Sequence, residues 1–503
     1  MKATSQNQLN QPLHQLLHAD AKQLNNKALF FIRILKASLL ACFFYALPVS
    51  GQSQIATNNT YESALALQFD IKKDNIENDE TLYYSHLAQV IEILAEEDPE
   101  KTKTYLNAFQ ALQNKWDSKE TAQAYLADLQ LLWAFARLKS KQEFQAALLI
   151  KKAYRLVHKK ELAKNFNALK TRGVLLVMLG AVPEKYSWLL GLFSLKGNTQ
   201  EGLKLLSNLH KQQHQQAWEA GLWLALVNGF LLQQPDIGIA ITDTLAKQKP
   251  DRKIALLLGA SLALKSNKAE IALQNLQQFQ TLTNPPPLVF YLAGEANICK
   301  GYYVQAASYF ILFTQKFKGT NLLKDASFKT GLAYTFLNQP ILAKRYFLQA
   351  QTIGTNHTEA DKHAEKAIAD YTDINKKLWQ MRLFTDGGYY AQAQNIIDSL
   401  SISDFKTKKD KTEFLYRTAR IFDKTKQTTK AKNFYLKTIE LAANENWYFA
   451  PNSCLQIGYM CMQENKPNDA CIWFKRALTY NHHEYKNSID AKAKSAMHQA
   501  GCK

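Results

Sequence analysis

The chain has 503 residues, 47% of them hydrophobic, with only 19 glycines and 12 prolines. That is enough apolar material for a large core and too few turn residues for a β-rich fold of this length. The formal net charge of +19 suits an acidic protein surface or anionic lipid. Its basic residues are scattered in ones and twos, as at Lys151-Lys152 and Lys159-Lys160, with no arginine-rich arm or nucleic-acid module, so nucleic acid is not an expected partner.

The first element is a secretory signal over residues 1–51. Lys22, Lys27, Arg33 and Lys36 form a basic region, Ala37 to Val49 is uncharged and apolar, and Val49-Ser50-Gly51 offers small residues for cleavage. The run is short for a bilayer span, although an uncleaved anchor starting at Ala28 is the alternative. "LLAC", ending at Cys42, resembles a lipoprotein box, but the apolar run continues past the cysteine. Removal of residues 1–51 takes five Lys/Arg and one Asp and leaves +15. Five cysteines remain, too few for a disulfide framework. Cys454, Cys461 and Cys471 fall within one expected hairpin, where buried free thiols are favoured over a bond between two of them. Localisation is therefore expected to be periplasmic or at the cell envelope.

Residues 52–78 read as a polar, flexible start. Residues 79–217 read as an irregular helical region, with Tyr125, Leu129, Leu132 and Phe135 at helical spacing on one buried stripe. The carboxylates of "AEEDPE" (95–100) read as a helix end and turn.

From 218 onward a frame recurs. Gly331, Tyr334, Ala343, Phe347 and Ala350 define it. Gly294, Gly301, Ala306 and Phe310 fit, as do Gly458, Ala470, Phe474 and Ala477, and also Ala419, Phe422, Ala431 and Tyr435. The small residue of the second helix falls at 238, 271, 306, 343, 393, 431 and 470, with gaps of 33, 35, 37, 50, 38 and 39. Residues 218–283 are thus degenerate repeats and 284–480 clearer ones, with an insert near 351–377 read as an extra helix and a helical tail over 481–503. A small residue in each helix lets two backbones approach, the aromatic fills the groove to the next hairpin, and no hairpin buries its apolar face alone.

This pattern resembles the tetratricopeptide repeat, two antiparallel helices in about 34 residues. The expected fold is all-α: a right-handed superhelical solenoid of such hairpins behind an irregular helical N-terminal region. Two stretches, 173–206 ("GVLLVMLGAVPEKYSWLLGLFSLKGNTQEGLKLL") and 447–497, are also similar to the eukaryotic tetratricopeptide-repeat 39 family. That resemblance implies an adaptor-like role and supplies no catalytic residues.

No chemical motif competes with this. His210 and His214 stand four apart on an expected helix, a spacing that can hold a metal, but no third ligand is near, and solvent-facing histidines are the simpler reading. No metal, cofactor or catalytic residue is expected. His482-His483 and Gly387-Gly388 read as turns. In this repeat class the first helix of each hairpin lines the concave groove. The residues mapped there are Lys329, Trp379, Arg382, Tyr416, Arg417, Arg420, Lys424 and Tyr459. The family's carboxylate clamp needs an asparagine beside the frame glycine, and this chain has Glu295, Leu332, Arg382, Arg420 and Tyr459 there. The expected function is non-catalytic binding of a protein or peptide partner, acidic in character, with peripheral contact to anionic membrane as a variant. Two other classes are an envelope glycan handler stacking sugars on Trp379, Tyr389, Tyr390 and Tyr416, and an enzyme with an unrecognised N-terminal site.

Overall fold

The computed structural model describes residues 59–68, 78–182, 191, 194–214, 216–369, 371 and 374–502. The signal sequence, and part of the stretch at 173–206, lie outside the described residues. Among those residues the fold is all-α, with no strand. No described helix is long and apolar enough to cross a membrane.

The N-terminal helices are α1 (Asn59–Leu65), α2 (Asp79–Glu96), α3 (Pro99–Trp116), α4 (Gln123–Lys139), α5 (Glu143–Val157), α6 (Phe166–Gly180) and α7 (Thr199–His210). Local chemistry sets their ends. Asn78 accepts from the Thr81 amide to start α2, and Asp98 accepts from the amides of Glu100 and Lys101 to start α3. The "AEEDPE" stretch is therefore a helix end and a cap. Of the stretch 52–78, expected to be a flexible start, residues 59–68 are described, and 59–65 of them form helix α1. Ala64, Leu65 and Leu67 are buried, and Glu62 takes two bonds from Arg252, at 3.0 Å from Nε and 2.6 Å from Nη2. On α4, Leu129, Leu132 and Phe135 are buried as expected, and Tyr125 is half-buried.

Next come α8 (Ala217–Leu226), which runs into a π-helical turn (Val227–Leu231), α9 (Pro235–Gln248), α10 (Ile254–Lys265), α11 (Ala269–Gln277), α12 (Pro287–Lys300), α13 (Tyr303–Lys316), α14 (Leu323–Phe336) and α15 (Pro340–Thr352). Helix α16 (Glu359–Ala369) is the extra helix of the insert. The chain ends with α17 (Lys376–Gly387), α18 (Tyr390–Asp398), α19 (Lys408–Lys424), α20 (Thr428–Ala442), α21 (Phe449–Gln463), α22 (Pro467–Leu478) and α23 (Lys486–Gln499).

One turn recurs between paired helices along the described residues. A residue in the left-handed region ends the first helix at Lys141, Asn267, Gly301, Asn338, Gly388, Lys426 and Asn465. The next residue's amide reaches back five positions: Gln142 to Arg137, Lys268 to Ala263, Tyr302 to Asn297, Gln339 to Tyr334, Tyr389 to Phe384, Gln427 to Phe422 and Lys466 to Cys461, at 2.8–2.9 Å. This is the Schellman closure, which satisfies carbonyls that the helix end leaves open. At Gln233 the same turn forms, but Gln234 reaches six positions back to Asn228, because the π-helical turn inserts one residue. The α4–α5 pair shares this turn, so part of the region read as irregular is a hairpin of the same kind.

The frame positions pack as their spacing requires. A methyl group on Gly294 would meet Phe310 Cε1 at 2.6 Å, one on Gly331 would meet Phe347 Cε1 at 2.6 Å, and one on Gly458 would meet Phe474 Cδ1 at 2.5 Å. In each case the aromatic lies sixteen residues after the glycine. Ala306, Ala343, Ala350, Ala431 and Ala470 are all buried. One register is corrected: Ala272, not Ile271, takes the buried position, because an alanine and not a branched side chain fits the close approach. Gly238, Ala272 and Ala306 then stand at even 34-residue spacing.

The chain divides into two compact units. The first comprises residues 1–294, 308–330 and 348–365, and the second 295–307, 331–347 and 366–503. In the first unit, α16 supplies Asp361, whose carboxylate accepts from the amides of Leu322 (2.8 Å) and Asp325 (3.1 Å) at the start of α14. In the second, Cys471 on α22 is disulfide-bonded to Cys502, with Cα atoms 5.6 Å apart. This corrects the expectation of an unbonded Cys471. Its partner lies beyond α23, outside the hairpin considered, while Cys454 and Cys461 are free and buried.

Candidate functional site

Seven of the eight residues mapped to the groove belong to the second unit. Helix α17 carries Trp379 and Arg382, α19 carries Tyr416, Arg417, Arg420 and Lys424, and α21 carries Tyr459. Lys329, on α14, belongs to the first unit. There it pairs with Asp325 at 2.7 Å, with its amine 5.8 Å from the Tyr291 ring centre. Lys424 is exposed, and Tyr459 is half-buried, edge-on to Phe474 at 5.6 Å.

The arginines of α17 and α19 gather around tyrosines. Arg382 lies over the Trp379 ring at 4.8 Å, with its Nε 3.6 Å from Asp386. Arg417, 8% exposed, donates from Nε and Nη2 to Glu413 Oε1 at 3.0 and 2.7 Å, and from Nη2 to the Tyr448 hydroxyl at 2.9 Å. Burial alone would lower the Arg417 guanidinium; Tyr448 and Glu413 outweigh it and hold the group above its ordinary value. Tyr448 stands edge-on to Tyr416 at 5.6 Å and to Tyr485 at 5.1 Å, and the Lys366 amine lies 5.4 Å from the Tyr485 ring centre. Arg420 is half-buried and makes no hydrogen bond or ion pair among the described residues. Burial would lower its guanidinium, but nearby tyrosines Tyr416 and Tyr435 and the carboxylates Asp386 and Asp423 hold it above its ordinary value.

Two of these residues have a different place from the one the groove map gave them. Tyr416 is a core residue, 3% exposed, with its hydroxyl accepting from Asn452 Nδ2 at 2.8 Å. Arg417 is largely withdrawn from water and already paired. The open part of the cluster is Trp379, Arg382 and Arg420, resting on a packed layer of Tyr416, Arg417 and Tyr448. Asp386 and Glu413 were legible as i, i+4 partners of Arg382 and Arg417. Tyr448 and Tyr485 were not, because only folding brings them to α17 and α19.

The shared Schellman turn and the three glycine–phenylalanine contacts at one spacing are the marks of a single repeated hairpin. The chain is a tetratricopeptide-like helical-repeat protein. No family model matches the sequence, and no curated protein matches it. Several solved structures do. A monomeric mutant of IFIT1 with Gppp-AAAA is 11% identical, with a TM-score of 0.34 over 88% of this chain and 95% of its own. The TPR domain of P58(IPK) is 14% identical, with a TM-score of 0.22 over 83% and 97%. Yeast Tom70 is 11% identical, with a TM-score of 0.23 over 79% and 96%. At these scores the assignment rests on the chain's own turns and frame contacts.

Elsewhere in this tetratricopeptide-like chain, one buried charged cluster is internally paired. In the first unit Lys170 is fully buried between Asp128 (3.2 Å) and Glu219, while Tyr83 and Thr171 donate to Asp128 at 2.7 and 2.6 Å. Burial lowers Lys170 and raises Glu219 well above the usual carboxylate range. These groups satisfy one another in the core. The helix expected to carry both histidines is shorter than expected: α7 ends at His210, so His214 lies beyond it. His214 stacks on Phe166 at 3.8 Å instead, and His210 Nδ1 contacts the Ala217 carbonyl at 3.0 Å. No group of three or more metal-ligating side chains occurs among the described residues. Burial pushes the Cys454 thiol up to about 12, which removes it as a nucleophile at neutral pH.

Proposed function

We propose that this protein is an exported, non-catalytic interaction scaffold that holds an acidic protein or peptide partner on the basic-aromatic surface of α17 and α19. The observation that carries the reading is the placing of Arg382, stacked on Trp379, and of Arg420 near tyrosines that are already packed and hydrogen-bonded, a surface ordered before a partner arrives. Arg420 makes no hydrogen bond or ion pair among the described residues, and although Asp386 and Asp423 act on it from a distance, a half-buried guanidinium favours direct contact with a carboxylate from outside. Export is supported by the leader and by the Cys471–Cys502 disulfide, which persists in an oxidising compartment. Burial of Tyr416 removes one of the four rings on which a sugar-stacking surface would rest.

The test is affinity capture from envelope extract at low and high salt, comparing wild type with Arg382→Glu/Arg420→Glu. Both side chains are partly exposed, so circular dichroism is expected to show an unchanged fold. A protein retained by wild type at low salt and lost from the variant supports the reading. An unchanged set of captured proteins places binding elsewhere.

A further inference from the structure

The longest gap in the repeat frame, between Ala343 and Ala393, does more than house an extra helix. Within the second unit a cavity of about 380 Å³ opens beside the start of α15. Its size falls in the range of small-ligand sites. Phe347 and Tyr371 form one wall, with ring centres 5.2 Å apart and planes tilted by 31°. Phe347 is the frame aromatic, locked in place by Gly331. Tyr371 comes from the long connection and Lys376 opens α17 after it, so a hairpin array of regular spacing would not place Tyr371 in this wall.

The polar lining is one-sided. None of the nine lining residues is acidic, and two are lysines, Lys344 and Lys376. Lys376 donates to the Asn338 side-chain oxygen at 2.6 Å, a neutral acceptor that positions the amine without cancelling its charge. Lys344 is exposed and makes no ion pair among the described residues. Asn338 itself is fixed by its left-handed turn conformation (φ 57°). Two lysines in the lining of a cavity with an aromatic wall, and no competing carboxylate in that lining, match a ligand that is anionic at one end and flat at the other. Lysine acts on phosphate as a point charge, and an offset ring against Phe347 and Tyr371 adds apolar contact.

We propose that this cavity is a binding site for a small phosphate monoester carrying a flat ring, lined by residues other than those of the partner surface, although Lys376 opens the same helix, α17. The probes are phenyl phosphate, inorganic phosphate and phenol, titrated against the full chain by calorimetry and by ligand-observed NMR at low salt. Phenyl phosphate is expected to bind at least tenfold more tightly than either fragment. Lys344→Gln/Lys376→Gln is expected to weaken it at least tenfold, and Tyr371→Ala to weaken phenyl phosphate while leaving inorganic phosphate unchanged. If the double variant misfolds, Lys344→Gln alone, at an exposed position, is expected to give a loss of severalfold. Absence of phenyl phosphate binding at millimolar concentration, or binding unchanged in the lysine variants, overturns the proposal. Neither result bears on the capture experiment, whose substitutions lie elsewhere.

Discussion

Replacing Gly458 with alanine sets two physical effects against each other. In a helix interior alanine is favoured over glycine by about 1 kcal/mol, so without tertiary contact Gly458→Ala stabilises the protein. In this fold the added methyl lands 2.5 Å from Phe474 Cδ1 and 2.9 Å from Cζ, roughly 1 Å inside the contact optimum of about 3.5 Å. Phe474 is fully buried, so its ring cannot swing into solvent. Overpacking of this kind costs about 1–3 kcal/mol, and the upper end applies here. After the gain in helix propensity, the expected net loss is about 1–2 kcal/mol. Urea unfolding followed by circular dichroism, with hydrogen exchange over Phe449–Leu478 for the local value, measures it. Phe474→Leu should cost stability in the wild type and restore it in the Gly458→Ala background. Stabilisation of the single variant by about 1 kcal/mol would refute the frame contact.

Three further outcomes are expected. Burial pushes the Asp361 carboxyl up from 3.8 to about 6, against the Thr358 hydroxyl and Leu322 amide that favour its charged form. Its folded pKa is raised, so its stabilising contribution is complete below about pH 3.8 and lost as pH rises through about 6. The difference is roughly 3 kcal/mol, and Asp361→Asn should flatten the dependence of the unfolding midpoint on pH in that window. Lys170→Met leaves Asp128 and Glu219 buried without their cation and should cost about 3–5 kcal/mol in urea unfolding, most of it recovered by Asp128→Asn/Lys170→Met/Glu219→Leu. Reduction of the Cys471–Cys502 bond, or Cys502→Ser, should cost about 3–4 kcal/mol by loop entropy and raise hydrogen exchange in α23 before the other helices.

The repeat was legible because its signal is local and periodic. A glycine, and an aromatic sixteen residues on, can be counted along the chain, and the structure puts them in contact. The 34-residue spacing was misplaced by one at Ile271, where a branched and a small residue are adjacent and only packing decides between them. The π-helical turn after α8 was invisible, since one inserted residue leaves the composition unchanged. Of the site, the cations were legible and their environment was not. Counting arginines gave Arg382, Arg417 and Arg420 equal weight, but Glu413 and Tyr448 withdraw Arg417 while Arg420 stays open. The disulfide was missed because Cys502 meets Cys471 only once α23 folds back, a contact without a sequence period.

The central claim is that a partner sits on the open face of α17 and α19. Site-specific photo-crosslinking tests it most directly: a benzophenone amino acid in place of Trp379, compared with one in place of Ile341, which is 84% exposed on α15. The account predicts a partner adduct from position 379 at low salt, suppressed by high salt and by Arg420→Glu, and none from position 341. An adduct from position 341 alone, or one from 379 indifferent to salt and to Arg420, would contradict it.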